Sequence, residues 1–176
     1  MPTAALAPAD PFTVDVRGET VSIPTRIYHP EPTADVELTG TQRLVLHCLY
    51  SRHHDGKVRQ RHVEQILVSS EPWVVPFVVQ LLGEYVLEIV LSIAKGLPAH
   101  SAQLYGEFIV ANPAFFARTQ RRVVSYWDCY YRRQYPVFRS YPGCVLAEAF
   151  LAAASEQAGA TWPRHLPRAS GPRFPA

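Results

Sequence analysis

Between Glu71-Pro72 and Gly96-Leu97-Pro98 the chain runs through 22 residues, Trp73 to Ala94, whose only carboxylate or amide side chains are Gln80, Glu84 and Glu88. A helical segment apolar on nearly every side has to be buried, either in a protein core or in lipid. Lipid is a poor fit. An acid at mid-bilayer costs about 2.5–3.5 kcal/mol even on the lenient insertion scale, and the basic flanks that orient a span are missing. The expectation is therefore one long core helix, Trp73 to Ala94, in a soluble domain, with no membrane span. On it Gln80, Glu84 and Glu88 fall at i, i+4 and i+8 in one line, with Lys95 on the same side. Val75, Val79, Leu82, Val86, Ile89 and Ile93 face away from that line.

Around this helix the other elements are shorter. Phe12, Val14 and Val16 alternate with polar residues, Arg17-Gly18-Glu19 follows, and then Val21 and Ile23, which predicts a β-hairpin whose second arm Pro24 confines to an edge. His29 to Leu38 reads as an acidic linker. Thr39 or Thr41 caps a first helix over about 42–51, and Asp55 caps a second over about 57–69. After the core helix come a fourth at about 101–111, a fifth at 114–135 opened by Asn112-Pro113, and a sixth at 144–157, with an aromatic connector, Pro136 to Gly143, between the last two. The class expected is mainly α: a six-helix bundle or HEAT-like right-handed helical array with an N-terminal hairpin. Residues 1–11 and 159–176, rich in Pro, Ala, Gly and Arg, read as flexible tails, 12–38 as hairpin and linker, and 39–158 as the helical domain.

Leu44, Leu49, Asp55, Val58-Arg59, Val63 and Ile66-Leu67 resemble a single HEAT-type helical repeat, with an aspartate in the turn and a Val-Arg pair opening the second helix. The resemblance spans 42–69, and the region after Trp73 departs from it. It implies a stacked helical pair in which the aspartate and arginine tie neighbouring units together, and a scaffold or binding role.

The net charge of +2 is too small to indicate nucleic-acid binding, but the charge is polarised. Six acids stand in residues 1–40 against Arg17 and Arg26, and six arginines in 113–139 against Asp128 alone. Two lysines against fifteen arginines, with much Ala and Pro, is a usage common in GC-rich bacterial genomes. Three cysteines, none in a CxxC pair, suit a reducing compartment, and the N-terminus carries no basic region before an apolar run. These point to a bacterial cytoplasmic protein.

Four features are candidates for chemistry. The glutamate line reads as metal-binding carboxylates or as a polar seam filled by water or by arginines of the fifth helix. Bundle di-metal sites need Glu-x-x-His motifs, and Glu84, Glu88 and Glu107 are followed three residues on by Leu87, Leu91 and Val110. His47, Cys48, His53, His54, Asp55 and His62 contain zinc-ligand types, at spacings that fit no finger. The fifth helix sets Phe116, Val123, Val124, Trp127, Tyr130 and Tyr131 on one face. Arg118, Arg121, Arg122, Ser125 and Arg132 lie on the other, with Arg133 at its edge and Asp128–Arg132 as an i,i+4 pair. Around it Tyr126, Trp127, Tyr130, Tyr131, Tyr135, Phe138 and Tyr141 concentrate aromatic surface, a composition of core, of protein interfaces and of single-strand stacking platforms.

The leading expectation is a non-catalytic protein–protein interaction module without cofactor. It would bind an acidic protein surface, or a second copy, through Arg118, Arg121, Arg122, Arg132, Arg133, Tyr126 and Tyr130, together with Arg52 and Arg59. A nucleic-acid-binding protein using the same face is the alternative. A metal-dependent enzyme built on Glu84, Glu88, His53 and His54 is the third.

Overall fold

The computed structural model describes residues 11–32, 37–98 and 101–158; of the tails expected at 1–11 and 159–176, all but Pro11 lie outside them. The described chain is mainly helical, with one two-stranded antiparallel sheet. Strands β1 (Phe12–Val16) and β2 (Glu19–Ile23) pair Val14 with Val21 and Phe12 with Ile23. Their two-residue turn has Arg17 at φ 54° and Gly18 at φ 86°, the primed turn that matches strand twist. Val14 and Ile23 are buried in the main core, and the Phe12 ring stacks on Phe115 at 5.3 Å.

Among the described residues seven α-helices follow: α1 (Gly40–Tyr50), α2 (Gly56–Ile66), α3 (Val75–Leu82), α4 (Leu87–Gly96), α5 (Ala102–Ala111), α6 (Pro113–Tyr126) and α7 (Pro142–Ala158). The caps act as expected. Thr39 and Gln42 form a reciprocal capping box on α1, and the Asp55 carboxylate accepts from the Lys57 N–H at 2.8 Å to open α2. Asn112, which separates α5 from α6, also clasps the hairpin. Its side chain accepts from the Asp15 N–H at 2.8 Å and donates to the Asp15 carbonyl at 2.7 Å and the Phe108 carbonyl at 2.9 Å.

The single helix expected over 73–94 is two. A short 3₁₀ turn, Pro72–Val74, leads into α3, and the chain then leaves helical geometry from Gly83 to Val86 before α4. Hydropathy gives no hint of the break, because the residues on both sides remain apolar and buried. Side-chain chemistry makes it. Glu84 is drawn into a cluster of arginines, and the Tyr131 hydroxyl takes up backbone groups that the interruption frees. That hydroxyl accepts from the Leu87 N–H at 3.2 Å and donates to the Tyr85 carbonyl. The core placement itself holds: Val78, Val79, Leu81, Leu82, Ile89, Val90 and Ile93 are all fully buried. Each such side chain contributes about 1.5–3 kcal/mol relative to exposure. No helix among the described residues is long and apolar enough to cross a membrane.

Two further boundaries differ from expectation. The fifth expected helix, 114–135, is α-helical only to Tyr126 and continues as a π-type turn over Trp127–Tyr131. The linker expected from His29 is packed over its first residues: the Tyr50 hydroxyl donates to the Pro30 carbonyl at 2.7 Å, and Ile27 forms a parallel bridge with His53.

Candidate binding surface and buried arginine centre

Arg52 lies in the turn between α1 and α2 and Arg59 one turn into α2, so both were expected on a surface. Both are buried, at 1% and 0% exposure. The reason is Glu84, itself 4% exposed, which the break between α3 and α4 presents to them. Arg59 Nη2 donates to Glu84 Oε2 at 3.1 Å, and Arg26 Nη2 reaches the same oxygen at 3.1 Å. Arg52 Nη1 stands 3.8 Å from Oε1. Backbone carbonyls complete the cage: Arg59 Nη1 donates to His53 and His54, each at 2.8 Å, and Arg52 donates to Thr25 at 2.7 Å and Pro24 at 3.3 Å. One carboxylate thus joins the exit of β2, the α1–α2 turn and the α3–α4 break. Burial pulls the Arg52 guanidinium down to about 10; Glu84 opposes that, and Arg26, Arg59 and Arg122 reinforce it.

The glutamate line is therefore no continuous seam. Gln80 and Glu84 are buried while Glu88 is exposed, because the non-helical residues 83–86 end the i, i+4 register between them. The arginines that answer Glu84 come from outside the fifth helix; Arg122 only flanks the centre, its side chain packing against Gly83. Arg26 was not anticipated as a partner. It stands on an irregular stretch whose position no local pattern encodes.

The other arginines of the expected face are on the surface. Arg118, Arg121 and Arg122 on α6 and Arg133 beyond it are exposed, and none forms an ion pair among the described residues. Arg132 is answered internally, by Asp128 and by the Trp127 ring 5.4 Å from its guanidinium. Tyr130, which the helical wheel sets on the apolar face with Trp127 and which was also expected in the binding surface, is 65% exposed. A π-type turn widens the helix by one residue and turns the following side chains away from their α-helical phase. Tyr126 is half-buried, and Tyr85, at 46% exposure, joins the two: Tyr85–Tyr126 and Tyr126–Tyr130 ring centroids lie 6.1 and 6.2 Å apart. Tyr85 was missed because the helix expected there runs through it.

The histidines form a different arrangement from a metal centre. Among the described residues no three His, Cys, Asp or Glu side chains converge to hold a metal. His53 Nδ1 accepts from the Asp55 N–H at 3.1 Å, and His54 stacks on Tyr28. With Glu84 among arginines and Glu88 exposed, the four residues proposed for a metal-dependent enzyme do not assemble. His62 bridges instead, its Nε2 at 2.7 Å from Glu31 Oε1 and its Nδ1 at 2.8 Å from His47 Nδ1. Cys48, Cys129 and Cys144 are free thiols, and burial pushes Cys48 up to about 12, away from nucleophilic use.

Compared with known proteins, the chain matches no family model, no curated sequence and no solved structure.

Proposed function

We propose that this protein is a non-catalytic protein–protein interaction module that recognises an acidic protein surface through the outer side of α6 and the turn after it. One observation carries the reading. Arg118, Arg121 and Arg122 share one side of α6 and are exposed without an ion pair among the described residues, as is Arg133 beyond the π-type turn, while exposed Tyr85 and Tyr130 form a row through Tyr126, one turn after Arg122. Like charges gathered on one face repel unless an external anion answers them, and arginine with tyrosine is the composition of interface hot spots. Arg52 and Arg59 leave this face and act as its support. The α1–α2 pair is read as one HEAT-type unit whose Val58-Arg59 step faces inward, in keeping with a scaffold.

The test is an Arg118→Glu, Arg121→Glu variant, which leaves Arg122 in place beside Gly83, assayed for interaction partners against the native chain. Loss of partner binding with unchanged thermal stability is expected. A folded variant that retains every partner removes the proposal.

The row Tyr85–Tyr126–Tyr130, with ring centroids 6.1 and 6.2 Å apart and exposed arginines on α6, supports a second reading: single-stranded nucleic acid. Nucleic acid co-purifying at low salt, with affinity that falls steeply as salt rises, would favour it over a protein partner.

A further inference from the structure

The centre around Glu84 does not balance. Three guanidiniums, Arg26, Arg52 and Arg59, face one carboxylate, an excess of two positive charges, and Arg122 stands close enough to add its field. The hydrogen bonding is incomplete in the same place. Arg26 Nη1, Arg52 Nη1 and Arg59 Nε are buried N–H donors without a hydrogen-bond acceptor among the described residues. Buried donors in folded proteins are nearly always answered, by protein, water or an ion. Water would satisfy the N–H groups and leave the charge excess untouched, and excess charge away from water is the costlier defect. A carboxylate would remove half of it. A phosphate group carries about −1.5 to −2 charges near neutral pH and presents several strong acceptor oxygens, which fits both deficits at once. Guanidinium is also the side chain best shaped for bonding to phosphate oxygens.

We propose that the arginine centre at the α3–α4 break is a binding site for a phosphate group, held between Arg26, Arg52 and Arg59 opposite Glu84. The phosphate enters on the side of Arg26. Arg52 and Arg59 are sealed and anchored by backbone carbonyls, whereas the Arg26 side chain is 24% exposed and, among the described residues, bonded only through Nη2. Its outward rotation opens the centre, and its return places Nη1 on the ligand. Glu84 limits the charge excess so that the fold survives without the ligand and the phosphate remains releasable. Of the exposed arginines of the proposed partner face, only Arg122 reaches this centre, through its field; Arg118 and Arg121 take no part in it.

The test uses inorganic phosphate and, separately, a phosphomonoester such as O-phosphoserine, each against chloride at equal ionic strength, with thermal unfolding and arginine side-chain N–H resonances as readouts. Both probes are expected to raise the unfolding temperature and to shift the Arg59 Nε–H signal in the native chain and in an Arg118→Gln, Arg121→Gln variant. Arg26→Gln should weaken the effect at least tenfold in probe concentration. A stronger effect of the monoester than of free phosphate identifies the group as part of a larger ligand; equal effects identify free phosphate. No effect beyond chloride, or an effect lost in the Arg118/Arg121 variant and kept in Arg26→Gln, overturns the proposal. If Arg26→Gln does not fold, the Arg59 Nε–H signal in the native chain decides: a phosphate-dependent shift supports the site, and its absence refutes it.

Discussion

Glu84 accepts from Arg26 and Arg59 through one oxygen and faces Arg52 with the other, whereas Glu88 projects into solvent. Their mutational consequences should differ accordingly. Glu84→Gln keeps the shape but leaves three guanidiniums without a counter-charge in a buried setting, and breaking such a pair costs about 3–5 kcal/mol. Glu88→Gln, an exposed change, should stay within about 0.5 kcal/mol of the native chain. Urea unfolding of the two variants side by side measures the contrast, and equal stabilities would show that the centre contributes nothing. Asn112 has a comparable concentration of roles: it holds both the hairpin and the end of α5 through one amide.

Two elements depend on contacts that their own sequences do not announce. The stretch from Tyr28 to Glu31 is strapped to α1 and α2 by Tyr50, by Arg61 and by the Glu31–His62–His47 chain. The hydrogen bond from His62 holds the Glu31 carboxyl below its ordinary 4.5, aided by Arg61. Burial, then the charges of His62 and Arg43, holds the His47 imidazole below its ordinary 6.5. Both groups lose a proton more readily folded than unfolded, so their contribution is complete above those values and is lost as pH falls, for His47 from about 6.5 downward. Hydrogen exchange, corrected for intrinsic rates, should show the amides of His54, which donates to the Ile27 carbonyl, and of Ile27, which donates to the Arg52 carbonyl at the start of this strap, losing protection as pH falls below about 6.5. Protection that stays level to pH 4.5 would oppose the assignment. The second element is α5, where Gly106 lets the backbone of α7 approach. A Cβ there would lie 2.7 Å from the Ala153 carbonyl oxygen. Gly106→Ala would gain helix propensity elsewhere, but here overpacking should cost about 1–3 kcal/mol, read as a lowered thermal midpoint.

Across the molecule, hairpin and helices share one core: Val14 and Ile23 belong to the same buried cluster as the residues of α3, α4 and α7, and Arg26 ties the exit of β2 to Glu84. The described chain should therefore unfold as a unit. Unfolding followed by Trp fluorescence, which reports Trp73 and Trp127 near the core, and by far-ultraviolet dichroism should give coincident curves. Separated transitions would mean that the hairpin is an appendage.

The hairpin, the two capped helices, the stop at Gly96-Leu97-Pro98 and the burial of the 73–94 segment were legible from residue order alone. They rest on period, turn chemistry and capping, which act between neighbours in the chain. The break at Gly83–Val86, the burial of Arg52 and Arg59, and the exposure of Tyr85 were not. Each depends on groups far apart in sequence: Arg26 lies 58 residues from Glu84, and Tyr131 lies 44 from Leu87. Hydrophobic patterning records how much of a segment must leave water. It does not record which charge it will meet there, because a buried ion pair is specified by tertiary approach and helical phase carries no trace of it.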